Sequence, residues 1–231
     1  LTGAGISAES GLATFRGPGG WWRKYDPQTL ATPQAFRNDP GLVWEWYWWR
    51  REKALKARPN PGHLAIAALE GLFPRFLLIT QNVDGLHQRA GSRIMVELHG
   101  NILRERCLEC GRPGPGPSLK PEGLPRCDCG GLMRPDVVWF GEPLPSEGLE
   151  LAWRESARAD LFLAVGTSGL VQPAASLPLA AGRKGAFLAE VNPEPTPLSD
   201  SAGAAVRAKA GQAMPAFLEA LRSRKQERIH D

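Results

Sequence analysis

All four cysteines of the chain, Cys107, Cys110, Cys127 and Cys129, fall within 23 consecutive residues, spaced C-x2-C-x16-C-x-C. That pattern reads as one tetrahedral zinc site. Four thiolates close the coordination shell and leave no position for water, so the metal is structural and none of these thiols is expected to act as a nucleophile. Loss of the ion is expected to unfold the segment around it and to abolish activity indirectly. Clustered cysteines in a chain of 231 residues also point to a reducing compartment, taken as the cytoplasm, in preference to disulfides.

The rest of the chain must supply a core around that segment. Several apolar runs each lead into a Gly-, Asn- or Thr-rich turn. Arg75–Thr80 leads into Gln81-Asn82-Val83-Asp84-Gly85, Asp160–Val165 into Gly166-Thr167-Ser168, and Ala186–Val191 into Asn192-Pro193. Continuous apolar strands of this length suit a parallel sheet covered on both faces. Helical patterns near 62–73, 146–159, 171–183 and 214–226 alternate with them, so the class is α/β. Ligands in such sheets bind at the carboxyl ends of the strands, where all three turns lie. Two stretches break the alternation: a Trp-rich helical one (21–60) and the cysteine region (101–135). We expect residues 1–20, 61–100 and 136–231 to form a Rossmann-like sheet domain. The two insertions would join as one small domain, a helical module with a zinc module.

A net charge of +4 suits an anionic ligand but is too small and dispersed to argue for nucleic acid. No apolar run reaches 18 residues, so no membrane span is expected, and no signal peptide is visible.

The opening Gly3-Ala4-Gly5-Ile6-Ser7 offers small residues through which backbone N–H groups can approach a pyrophosphate. Its spacing is not G-x-G-x-x-G, and alone it equally describes an ordinary tight turn. Asn82 and Asp84, just past a strand, could hold a ribose hydroxyl and a carboxamide, or could simply build an Asx turn. His99, in Glu97-Leu98-His99-Gly100-Asn101, titrates near neutrality and could serve as a general base. A lone histidine is more often structural, and His63 and His230 are read as structural or exposed.

The ordered set Gly3-Ala4-Gly5-Ile6-Ser7, Phe15-Arg16-Gly17, Thr80–His87, Leu98-His99-Gly100, Val138–Glu142 and Gly166-Thr167-Ser168 resembles the sirtuin family across nearly the whole chain. The resemblance implies NAD as cosubstrate, one structural zinc, and removal of acyl groups from lysine side chains of proteins. It implies that His99 deprotonates a ribose hydroxyl after the acyl oxygen has attacked the nicotinamide ribose. Gln81 and Asn82 would contact that ribose, and Asp84 the nicotinamide amide. Gly3, Ala4, Gly5, Ile6, Phe15, Arg16, Gly166, Thr167 and Ser168 would line the phosphate and ribose path, with Asn192 on the adenosine ribose. His87 would have a supporting role.

Trp46-Tyr47-Trp48-Trp49-Arg50-Arg51 bears on the substrate. Tyr47 and Arg50, three apart on a helix, share a face and could clamp a carboxylate. They resemble the Tyr-x-x-Arg element of the branch that removes succinyl, malonyl and glutaryl groups, so desuccinylation and demalonylation are favoured, with deacetylation also expected. Pro18 departs from that branch, which usually has a small alanine there. Val138-Trp139-Phe140-Gly141-Glu142 reads as extended. By resemblance Val138, Phe140 and Gly141 pair with a substrate peptide as an added strand.

The protein is expected to act as a monomer. A mono-ADP-ribosyltransferase using the same NAD site, a zinc-ribbon nucleic-acid binder and a non-catalytic NAD sensor are the rival readings. Lys120, Arg126 and Arg134 give the zinc region some positive charge, but no aromatic lies between Cys107 and Cys129.

Overall fold

The computed structural model of the chain describes residues 1–14, 27–117, 119 and 122–230. Phe15, Arg16, Gly17, Pro18 and Lys120, singled out above, lie outside the described residues. After a 3-10 turn at Ala4–Ser10 the elements run α1 (Pro27–Leu30), α2 (Pro33–Asn38), α3 (Pro40–Lys56), α4 (Pro61–Leu69), β1 (Leu78–Thr80), α5 (Leu86–Arg89), β2 (Met95–Glu97), β3 (Gly100–Cys107) and β4 (Met133–Val137). Then follow α6 (Ser146–Ser156), β5 (Leu161–Val165), α7 (Ser176–Arg183), β6 (Phe187–Val191), a further 3-10 turn at Ser199–Ser201, β7 (Ala204–Val206) and α8 (Ala210–His230).

The apolar runs become strands of one parallel sheet. β1 pairs with β2, β5 with β6 and β6 with β7, all parallel. Thr2 bridges to both Thr80 and Val165, so the residues just before the first turn run between β1 and β5. The order is therefore β2-β1-Thr2-β5-β6-β7, and it reverses direction on either side of Thr2. That is the topological switch point where open α/β sheets bind ligands.

Alternate side chains of each strand feed opposite faces. Leu78, Val165 and Val191 join Ile66, Leu69, Met214 and Leu218 from α4 and α8. Ile79, Phe162 and Leu188 join Ala152, Leu177 and Ala181 from α6 and α7. Helices thus cover both sides, as continuous apolar strands require. β1 begins only at Leu78, later than Arg75, and α7 only at Ser176. Pro173 biases Gln172 away from helix, and a turn precedes α7.

A third apolar cluster gathers Phe36, Trp44, Tyr47 and Trp48 with Ile102, Met133 and Trp139. α3 starts where the Asp39 carboxylate accepts the Leu42 N–H, with Pro40 in the first turn. Trp44, Tyr47, Trp48 and Arg51 all turn inward, at helical spacing. Arg51 is fully buried and donates to the Ile102 and Arg104 carbonyls and to Glu105 at 2.5 Å. It fills the irregular stretch of β3 between Gly100 and Glu105, where the antiparallel register with β4 shifts. Among the described residues no helix is long and apolar enough to cross a membrane.

Candidate active site

Two glycine turns meet at the switch point. Gly5 N–H donates to the Gly166 carbonyl at 2.8 Å, and Gly3 N–H to Val165 at 3.1 Å. A Cβ on Gly5 would stand 2.7 Å from Gly166 Cα, and one on Gly3 would stand 2.8 Å from the Gly166 oxygen. Gly166 itself has φ +60°, and a Cβ there would lie 2.4 Å from Ile6 N. These glycines let the two turns interlock, a role beyond the ligand approach or ordinary tight turn that the sequence suggests. Gly166→Ala combines a left-handed backbone with that clash, so it should cost about 2 kcal/mol or more. Thermal unfolding should shift down by roughly 4–8 °C, and an unchanged melting temperature would contradict the interlock.

Asn82 and Asp84 leave β1 and turn toward the Ala4–Ser10 helix. Asn82 Nδ2 donates to the Gly3 carbonyl at 3.0 Å and to Ser7 Oγ at 3.2 Å. Ser7 Oγ donates to Asp84 Oδ2 at 2.7 Å, while Leu86 N–H donates to Asp84 Oδ1 at 2.9 Å. Burial raises the Asp84 carboxyl above its ordinary value, against the pull of Leu86 N–H and Ser7. The Asx turn is therefore real, and the same carboxylate faces a cleft lined also by Ala4, Ser7, Asn82, Arg50 and Lys53.

His63 is neither exposed nor isolated. It is fully buried, its Nδ1 accepts the Asn60 N–H, and its Nε2 lies 3.3 Å from Ser7 Oγ. With Nδ1 accepting, Nε2 carries the proton and donates to Ser7, whose own proton goes to Asp84. Asn60 adds a bond from Nδ2 to the Ile6 carbonyl at 2.7 Å. The first turn of α4 thus fixes the Ala4–Ser10 helix. The sequence hid this because Asn60 and His63 look like an ordinary helix cap, which they also are. His87 Nε2 lies 2.9 Å from Thr2 Oγ1 on the central strand, a supporting position. The two imidazole rings are 4.9 Å apart. Burial lowers His63 to about 4, and burial with the neighbouring His63 lowers His87 to about 3, so both are neutral.

His99 sits half-buried in the turn between β2 and β3, with Nδ1 2.9 Å from the Gln81 carbonyl. A carbonyl only accepts, so Nδ1 holds the proton and the neutral ring keeps its lone pair on Nε2. Burial lowers its pKa, and the Gln81 carbonyl works in the opposite direction. The Gln81 side chain reaches Thr167 Oγ1 at 2.9 Å, so one residue ties His99 to the second glycine turn. Ser168 follows in that turn. Asn192 closes the row at the end of β6, its Nδ2 donating to the Glu194 carbonyl at 2.8 Å.

Tyr47 and Arg50 stay side by side, with Tyr47 the more deeply buried of the two. Arg50 lines the cleft, its guanidinium 4.6 Å from the Trp46 ring and 5.3 Å from Tyr47. Burial disfavours its charge, and Tyr47 and Asp84 restore part of it. Tyr47 is only 1% exposed, and its phenol oxygen accepts the Trp139 indole N–H at 2.9 Å. Lys53, one turn beyond Arg50, lines the same cleft and had no signal beyond its spacing. The segment after β4 is extended only as far as Trp139, which corrects the reading of Val138–Glu142 as extended throughout. Phe140 and Gly141 form a turn, with Glu142 N–H on the Trp139 carbonyl and Gly141 at φ +87°. Val138 N–H donates to the His99 carbonyl and Phe140 N–H to Ala31, so both donors are engaged within the chain. The Phe140 side chain stays exposed.

The four cysteine sulfurs lie within 4.8 Å of one another. Three of their separations are 3.5, 3.7 and 3.6 Å. Bonds of about 2.3 Å around a tetrahedral zinc require sulfurs about 3.8 Å apart, and a disulfide requires about 2.05 Å. The donor set therefore fits zinc. Gly111 and Gly130, both at positive φ, turn the chain after each pair. The Cys110 and Glu109 N–H groups lower Cys107 to about 7. Cys129, despite an N–H from Gly131, is pushed up to about 12 by its thiol neighbours. Four thiols this close resist ionising together unless a cation joins them.

A family model described as the Sir2 family matches residues 3–173. The NAD-dependent protein deacylase 2 of Pyrobaculum aerophilum is 53% identical over 225 residues, covering 97% of this chain and 90% of that protein. A crystal structure of a Sir2 homolog–NAD complex superposes with a TM-score of 0.92 at 51% identity, over 96% of this chain and 88% of that one. A Sir2 homologue mutant in complex with 2'-O-acetyl ADP ribose gives 0.90 at 50% identity, over 96% of this chain and 90% of that one. The family match spans the first glycine turn, Asn82, His99 and the four cysteines, and the chain belongs to the Sir2 family.

Proposed function

We propose that the chain is an NAD-dependent protein-lysine deacylase that favours acidic acyl groups, succinyl and malonyl above acetyl. The acyl-lysine and NAD would give free lysine, nicotinamide and acyl-ADP-ribose, with one water consumed. When bound, NAD supplies the ribose that accepts the acyl group. The observation that carries the reading is the placement of His99. Its Nδ1–H is committed to the Gln81 carbonyl, which leaves Nε2 to take a proton from a ribose hydroxyl. Asp84, fixed by Ser7 and Leu86, would accept from the nicotinamide amide. Asn82 and Gln81 would orient the ribose between them. Gly3, Ala4, Gly5, Ile6, Gly166, Thr167 and Ser168 would line the phosphate path, with Asn192 on the adenosine ribose. The cysteines would hold one structural zinc in a reducing, cytoplasmic setting. A monomer suffices for this chemistry.

The acidic preference rests on Arg50. It lines the cleft beside Asp84 and Lys53, and a distal carboxylate there would gain charge-assisted hydrogen bonds. Tyr47 lies against Arg50, its ring 5.3 Å from the guanidinium, and its phenol is held by the Trp139 indole N–H. Arg50→Met should therefore lower kcat/KM for a succinyl-lysine peptide about 10- to 100-fold, the range for one charged hydrogen bond, while acetyl removal changes less than about threefold. Tyr47→Phe should cost succinyl removal less than about tenfold. Mass-spectrometric turnover of matched succinyl, malonyl and acetyl peptides checks this. Equal losses on all three peptides in Arg50→Met would sink the acidic preference. ADP-ribose appearing on protein with no acyl loss would favour the transferase reading.

A further inference from the structure

Glu190 is the only charged residue of β6 and is fully buried. A carboxylate in that position must be paired and hydrogen-bonded to remain ionised. Thr196 Oγ1 donates to its Oε1. Ser199 Oγ donates to Oε2 at 2.6 Å, and Arg207 donates to the same oxygen at 2.7 Å. Burial pushes the carboxyl up, but Ser199, Thr196 and Arg207 together pull it below its ordinary value.

These partners bracket the loop that leaves β6. Asn192 begins it, with its N–H on the Val206 carbonyl at 3.1 Å, one residue before Arg207. The Arg207 guanidinium also donates to Ser199 Oγ at 2.8 Å, and Ser199 Oγ accepts the Thr196 N–H at 2.8 Å. Leu198, buried and bonded through its N–H to Thr196 Oγ1, lies over Gly169, where an added Cβ would come 3.0 Å from Leu198 Cγ. One carboxylate therefore fixes the path from Asn192 to the turn that carries Thr167.

We propose that Glu190, with Arg207, is a positioning residue for the adenosine end of the NAD site, setting the 192–199 loop without touching the ligand. The proposal rests on the assignment of Asn192 to the adenosine ribose. The test is steady-state kinetics with varied NAD on Glu190→Gln, Arg207→Gln and Asn192→Ala, with melting curves for each. Glu190→Gln and Arg207→Gln should raise KM for NAD about tenfold. Their kcat should stay within about twofold and their KM for acyl peptide should not move, a selective pattern that differential binding predicts. A purely structural role would lower kcat and the melting temperature without a selective rise in KM for NAD. If Glu190→Gln does not fold, Arg207→Gln, whose side chain is partly exposed, decides the matter. A raised KM in Asn192→Ala with none in the other two overturns this inference and leaves the ribose assignment standing. An unchanged KM in Asn192→Ala overturns both.

Discussion

Replacing His99 by Ala should lower kcat for deacylation by about 10²- to 10⁴-fold, the range for removing a positioned general base. Affinity for NAD should change only a few-fold, because the ring holds Gln81 and not the phosphates. Wild-type kcat/KM should rise with pH at unit slope and then level off, since the base must be unprotonated. Burial lowers the pKa of His99, so the break should fall on the acid side of the ordinary value of about 6.5. A break above that value, or a variant that keeps a tenth of the activity, would remove His99 from the role. The profile must be read beside stability. His63 and His87 are held neutral, at about 4 and about 3 in the folded chain. Values lowered on folding give stability that is complete above the unfolded value of about 6.5 and is lost as pH falls through the folded values. Melting curves between pH 7 and 4 separate that loss from the titration of His99.

Removing zinc should be as damaging by a different route. Structural zinc contributes about 10–16 kcal/mol in small peptides, comparable to the whole stability of an ordinary domain. Cys107 belongs to the same apolar cluster as Trp44, Tyr47, Met133 and Trp139. Trp139 in turn holds Tyr47, and its neighbour Val138 bonds the His99 carbonyl. Disorder that starts at the metal therefore reaches both Tyr47 and His99. Cys107→Ser, or exhaustive chelation, should lower activity by more than about 100-fold and flatten the tryptophan near-UV signal. Native protein should carry one zinc per chain. Full activity in protein stripped of zinc would end this account.

The sequence made some of this legible and not the rest, for reasons that differ by residue. The cysteine spacing and the turns after apolar strands are local patterns, and the structure places those turns in a row. β2 and β7 are three residues each, too short for any periodicity to show. The reading of His63 as structural or exposed missed its contact with Ser7, because a capping residue gives no hint of what its second nitrogen meets. Glu190 had a signal that could have been used: a lone acid inside an apolar strand needs partners. Tyr47 and Arg50 share a helical face, and the structure keeps them in contact, but the spacing does not announce that Tyr47 is submerged while Arg50 lines the cleft. The turn at Phe140–Gly141 depends on a positive φ that glycine permits but does not announce.

The interlocked glycine turns set a limit on how this protein can be altered or inhibited. Each turn occupies the volume that a side chain on the other would need, so the two make a joint that cannot open one half at a time. A diphosphate arriving there, on the reading above, meets two turns whose backbones folding has already fixed against each other. Compounds aimed at that joint would find the same rigid surface in any relative that keeps these glycines. Selectivity must be sought a few ångströms away, along the α3 rim where Arg50 and Lys53 face the cleft.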